Sequence, residues 1–237
     1  MMILNELSDL FFPRLCILCK SLLIEKEGQI CLECLSELPY INSLTLRHNH
    51  PAAVLFAGQK NIVNVAAFLR YEKGGDVQKL IFSLKYRGNT ELACQLGRQA
   101  ALALQKRTEA PDGRVADLII PVPLHTAKRR ERGYNQSELI SRGIASALNL
   151  PIYTTALVRC TATRTQTDKN SSERRLNMQK AFEFPDTRIL PSGSRVLLVD
   201  DVITSGATLT ACARALSSAP GIRITILALA AAGYNAT

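Results

Sequence analysis

Two adjacent carboxylates, Asp200 and Asp201, follow an apolar run at residues 196–199 and precede Thr204, Ser205, Gly206, Ala207 and Thr208. The run begins after a Gly193-Ser194 turn and reads as a buried parallel strand whose C-terminal end opens onto a site, where such sheets bind ligands. Helical spacing then starts through Leu209, Ala213 and Leu216. Hydroxyls and backbone N–H groups at a helix N-terminus form a phosphate cradle, because the helix dipole favours an anion there. The acid pair would repel that phosphate, so the ligand should carry a phosphate at one end and hydroxyls nearby. A ribose 5-phosphate has that shape. A simple helix cap needs one such residue, whereas two acids and four hydroxyls, counting Thr210, gather here. A strand ending in V-D-D also opens receiver domains, but only a short tail follows Asp201, and neither G-x-x-x-x-G-K-[ST] nor G-x-G-x-x-G occurs.

A second set of reactive groups lies near the N-terminus. Cys16-x2-Cys19 and Cys31-x2-Cys34 are separated by eleven residues. Two such knuckles build a tetrahedral thiolate site, and thiolates select zinc or an iron cluster over hard metals. Four protein ligands leave the metal no open position, so a structural zinc is expected, supplying folding energy to a segment with little core. Disulfides are the alternative, disfavoured by a cytoplasmic setting. Cys94, Cys160 and Cys212 stand alone and read as small buried hydrophobes. His48 and His50 read as a surface loop, since the four thiols already complete a ligand set.

Charge is the third signal. The net charge is +9, and residues 121–180 hold eleven bases against four acids, so most of the excess falls in one quarter of the chain. Concentrated positive charge implies a polyanionic partner, either a pyrophosphate-bearing small molecule or nucleic acid. The N-terminus has Glu6 and Asp9 and no basic n-region, and no apolar run is long enough to span a membrane. A cytoplasmic protein without a membrane partner is expected.

The segment through Asp200, Asp201 and T-S-G-A-T resembles the 5-phosphoribosyl-1-pyrophosphate (PRPP) binding motif of type I phosphoribosyltransferases. That resemblance implies that Asp200 and Asp201 hold the ribose hydroxyls and that Thr204, Ser205, Gly206, Ala207 and Thr208 hold the 5-phosphate. It places the pyrophosphate loop after an earlier strand, where Lys128, Arg129, Arg130 and Arg132 precede Gly133 and a helix. The polar stretch at residues 163–177 is too long for a plain connection and reads as a lid or binding loop, whose Arg164, Arg174 and Arg175 are candidates to close over a pyrophosphate. Together with the four cysteines, L-K-Y-R-G at 84–88, V-P-L-H with R-R-E-R-G-Y-N-Q, and T-x-x-Q with R-x-x-N, the chain resembles the competence protein F (ComF) family over nearly its whole length. The resemblance implies PRPP with Mg²⁺ as ligand, transfer of phosphoribosyl to an unidentified nitrogen acceptor, and, as the alternative, handling of single-stranded DNA in DNA uptake. Against the alternative, the chain has no Trp and only Tyr134 inside its basic segments, while stacking platforms need aromatics.

These groups need a scaffold. Strands are expected at residues 63–71, 117–122, 154–159, 196–199 and 222–230, and helices after Gly75 up to Gly88, from Thr90 to about Arg107, and through Leu139, Ile140, Ile144 and Leu148. The expected fold is α/β: a type I phosphoribosyltransferase-like parallel sheet flanked by helices, with a small N-terminal four-cysteine zinc module. The expected division is residues 1–45 for the zinc-binding module and 46–237 for the phosphoribosyltransferase-like domain.

Overall fold

The apolar run before the acid pair is the interior of a parallel sheet. A computed structural model describes residues 13–24, 27–41, 51–108, 110–160 and 181–233. Strands β1 (Ile62–Tyr71), β2 (Leu118–Pro121), β5 (Arg195–Ile203) and β6 (Arg223–Ala232) form one sheet in the order β1-β6-β5-β2, and every pairing is parallel. Around it lie α1 (Leu32–Ser36), α2 (Asp76–Tyr86), α3 (Thr90–Gln105), α4 (Thr126–Arg132), α5 (Gln136–Leu148) and α6 (Ala207–Leu216). A short antiparallel pair, β3 (Val158–Arg159) and β4 (Phe182–Glu183), stands apart from the sheet.

Side chains alternate across a strand, so a strand covered on both faces must be apolar throughout. In β5, Leu197 and Val199 join a core with α2, α3 and α5, while Val196 and Leu198 join a second core with α6 on the opposite face. All four are fully buried. Each such side chain contributes roughly 1.5–3 kcal/mol of transfer free energy, which fixes the register of the strand carrying the acids. α3 and α5 approach closely at two reciprocal glycines: a Cβ on Gly97 would strike the Ile140 carbonyl, and one on Gly143 would strike that of Cys94.

The four-cysteine segment is built onto this scaffold. Cys16, Ile30, Cys31 and Leu38 belong to the same core as α2 and α3. Gln29 N–H donates to Gln95 Oε1 at 2.9 Å, and Asn89 Nδ2 donates to Gln29 Oε1 at 3.0 Å. Residues 39–41 run antiparallel along β1, with Arg70 N–H donating to the Pro39 carbonyl and Ile41 N–H to that of Phe68. An edge strand left bare would offer unpaired backbone groups, and this segment covers part of that edge.

Three expectations need correction. The strand expected at 154–159 shrinks to Val158–Arg159 and lies outside the main sheet, because its partner is the antiparallel β4. Strand β5 runs past the acids to Ile203, since β6 keeps pairing with it (Val202 with Ala230, Ile203 with Ala231) after β2 has ended. Cys212 is buried, but Cys94 is only partly so and Cys160, just past the end of β3, is exposed. His48 and His50 lie outside the described residues. Among the described residues no helix is long and apolar enough to cross a membrane.

Candidate functional site

The site exists because two neighbouring strands end at different heights. β2 pairs with β5 only as far as Pro121 opposite Val199, and Pro123 has no N–H with which to continue a ladder. The next two residues of β5, Asp200 and Asp201, therefore face a crevice at the carboxyl edge of the sheet, the usual ligand position in such folds. A cavity of about 280 Å³ opens there, and both acids, Lys85, Ser137, Thr204 and Thr208 line it.

Both carboxylates are buried and tied down on one side. Asp200 Oδ1 accepts from Ser137 Oγ at 3.1 Å and from Asp201 N–H at 2.9 Å, while Asp201 Oδ1 accepts from Val202 N–H at 2.8 Å. Ser137 stands in the first turn of α5, whose start is secured by Asn135: its side chain accepts from Ser137 N–H and donates to the Val122 carbonyl. The positive end of the α5 dipole thus points at the acids. Lys85 Nζ of α2 lies 2.9 Å from Asp201 Oδ2. Among the described residues that oxygen meets no donor in hydrogen-bonding alignment, so the lysine contact is an off-line ion pair. Burial, followed by the neighbouring Asp201 charge, raises the Asp200 carboxyl to about 7. The pocket is therefore strained toward cationic or hydroxyl-donating ligands.

The hydroxylated segment lies at the other end of the cavity. Gly206 takes φ 70 and forms the N-cap of α6 with no side-chain hydrogen bond to the first-turn N–H groups. Such an uncapped N-terminus suits an anion. A Cβ on Gly206 would crowd Leu55 and Phe56 in the turn Pro51–Phe56, so both the left-handed backbone and the space below demand glycine. Thr204, Ser205 and Ala207 are exposed and Thr208 is half-buried.

The basic segment differs from expectation. Residues 126–132 form a helix, α4, where a loop was expected. His125 caps it by accepting from Ala127 N–H, Lys and Arg are good helix formers, and Gly133 closes it in the left-handed conformation. Arg129 is engaged with Glu138 at 3.1 Å, and Arg132 donates to Gln136 Oε1 at 3.1 Å. Lys128 and Arg130 are exposed on the helix. None of the four lines the cavity. Arg164, Arg174 and Arg175 lie outside the described residues.

Arg159 was not singled out from the sequence, yet it borders the cavity. Among the described residues its Nε is buried without a partner, and its guanidinium lies 5.3 Å over the Phe182 ring. Lys85 and Ser137 were also missed. Lys85 sits inside the L-K-Y-R-G stretch and Ser137 directly follows R-G-Y-N-Q, so the signal was adjacency to quoted motifs.

The second site is the thiolate cluster. The sulfurs of Cys16, Cys19, Cys31 and Cys34 all lie within 4.8 Å of one another, and those of Cys19 and Cys31 are 3.6 Å apart. A tetrahedron with Zn–S bonds of 2.3 Å has edges of about 3.8 Å. Backbone N–H groups of Cys31 and Cys34 donate to the sulfurs of Cys16 and Cys31. The Ser21 hydroxyl lowers the Cys19 thiol to about 6, whereas burial and the neighbouring sulfurs push Cys34 up. Thiols packed this tightly ionise together only around a cation, and the donor set fits a structural zinc.

Residues 135–235 match the phosphoribosyl transferase domain, and residues 7–45 match the double zinc ribbon domain. Competence protein F of Haemophilus influenzae is 32% identical over 137 residues, covering 58% of this chain and 60% of that protein. DNA utilization protein YhgH of Escherichia coli O157:H7 is 33% identical over 138 residues, covering 58% and 59%. The chain thus spans about three fifths of the length of these two relatives in the matched regions. The solved structure of the allosteric regulatory enzyme of purine biosynthesis overlays with a TM-score of 0.41 at 18% identity, covering 62% of this chain and 30% of that one.

Proposed function

We propose that this chain, a homologue of competence protein F with a double zinc ribbon and a phosphoribosyl transferase domain, binds PRPP with Mg²⁺ and transfers its phosphoribosyl group to a nitrogen acceptor. The observation that carries the reading is the buried acid pair beside the uncapped N-terminus of α6, within one cavity. Asp200 and Asp201 accept the ribose hydroxyls, and the lack of an aligned donor on Asp201 Oδ2 among the described residues supports this role. Thr204, Ser205, Gly206, Ala207 and Thr208 seat the 5-phosphate on the first-turn N–H groups of α6. Lys128, Arg129, Arg130 and Arg132, with Arg164, Arg174 and Arg175, stand for the pyrophosphate, and Arg159 joins them from the cavity wall.

In this reaction the C1–oxygen bond breaks with its electron pair leaving on pyrophosphate, a C1–nitrogen bond forms, and the acceptor nitrogen gives up a proton. The transition state is cationic at C1, so the chain contributes by holding the ribose in place and surrounding the leaving group with positive charge. Mg²⁺, bound mainly through the ligand's own oxygens, would supply further neutralisation of the pyrophosphate. Titration calorimetry of zinc-loaded protein with PRPP and Mg²⁺ tests the proposal. Saturable binding is expected, weakened about tenfold or more by Asp201→Asn, the scale of a lost charge-assisted hydrogen bond. Equal affinity in the variant, with its thermal unfolding unchanged, refutes the assignment.

A second reading, handling of single-stranded DNA, is favoured by the exposed bases on α4 and by the names of the relatives, a competence protein and a DNA utilization protein.

A further inference from the structure

Helix α2 turns one face into the core and its Lys85 toward the acid pair, but it leaves two large aromatic rings outside. Phe82 and Tyr86 are 52% and 58% exposed. Four residues apart on a helix, they lie side by side, with ring centroids 4.8 Å apart and planes tilted by 40°. The guanidinium of Arg132, at the end of α4, sits 5.0 Å over the Tyr86 ring. Tyr86 is followed by the exposed Arg87, and Lys128, Arg129 and Arg130 are exposed on α4, with Glu131 the one acid among them. Aromatic surface and concentrated positive charge therefore occur together, beside the mouth of the cavity: Arg132 donates to Gln136, which lines it.

We propose that this face is a docking surface for single-stranded nucleic acid, with bases stacked on Phe82 and Tyr86 and phosphates running along α4. The proposal rests on the DNA-handling reading and assigns it a location. The chemistry selects the partner. Exposed rings offer stacking to any base with a free face, and neighbouring arginines and lysines neutralise the backbone between bases. A duplex keeps its bases stacked internally and could use only the charge. The missing aromatics that weighed against DNA in the sequence are thus supplied from a helix far from the basic segment in the chain.

The test is fluorescence anisotropy of a labelled oligodeoxythymidine of about twenty nucleotides, long enough for one site, with full-length zinc-loaded protein. The double variant Phe82→Ala/Tyr86→Ala should bind this strand about tenfold or more weakly, the scale of losing base stacking. It should bind an abasic strand of equal length as wild type does. Lys128→Ala/Arg130→Ala should flatten the slope of log K against log salt by about 1.4, the value for two phosphate contacts on a single strand. Both positions in α2 are largely exposed, so the aromatic variant should still unfold in one cooperative transition, lowered by a few degrees at most through loss of the ring pair and the Arg132 contact. If wild type binds the thymidine strand and the aromatic variant binds it equally well, the surface is wrong while DNA handling stands. If wild type does not bind the strand at all, both are overturned.

Discussion

Replacing Asp200 by asparagine should stabilise the protein, and the gain should depend on pH. Asn keeps an oxygen that accepts from Ser137 Oγ and Asp201 N–H, but it carries no charge into the buried site. The Asp200 carboxyl is raised from 3.8 to about 7, first by burial and then by the charge of Asp201. Because the folded value lies above the unfolded one, the native state holds its proton longer, and stability falls as pH rises through the interval between them. The cost of ionisable Asp200 is therefore small at pH 4, larger at pH 6 and on the order of a few kcal/mol at pH 8. Asp200→Asn should remove this cost, so urea denaturation of both proteins at these three pH values should show a stability difference that widens with pH. For a chain of this size each kcal/mol moves the thermal midpoint by about 2–4 °C. A difference that stays constant from pH 4 to pH 8, or a variant less stable at pH 8, would refute the account of a carboxylate forced into a dry site. The same variant should bind PRPP poorly, placing function and stability in opposition at one side chain.

Two further outcomes follow from the geometry. Gly206→Ala should cost about 1–2 kcal/mol from the left-handed backbone alone, with more from crowding Leu55 and Phe56; a denaturation midpoint equal to wild type counts against the packing described. Stripping zinc with a chelator should lower the melting temperature of the whole chain in a single transition, because Cys16 and Cys31 belong to the core shared with α2 and α3. Scanning calorimetry showing an unchanged main transition would mean that the thiolate cluster and the sheet unfold independently.

What the sequence disclosed depended on how local each feature is. The acid pair and the T-S-G-A-T segment form one strand-turn-helix, and the cysteine knuckles are set by short spacings, so both were legible without a fold. Lys85 and Arg159 could not be read that way. They line the cavity only because α2 packs against β1 and because β3 pairs with β4, arrangements made by tertiary contact. The basic segment misled for a physical reason: its Gly and bases suggested a loop, yet His125 and Gly133 cap a full helix, and two of its arginines are committed to Glu138 and Gln136. Phe82 and Tyr86 were legible only in part: the apolar stripe of Val77, Leu80, Ile81 and Leu84 puts both on the far side of the helix, but nothing in that pattern says that Arg132 and the bases of α4 lie beside them.

The antiparallel contact of residues 39–41 with β1 bears on how the protein can be dissected. A chain begun at residue 46 would keep every strand of the sheet yet expose the backbone of Phe68 and Arg70 together with the side of Phe68 that Tyr40 covers. Such an edge recruits a substitute strand, most readily from another copy of itself. Self-association of a truncated fragment would then report a missing neighbour, and would carry no information about the assembly state of the intact chain.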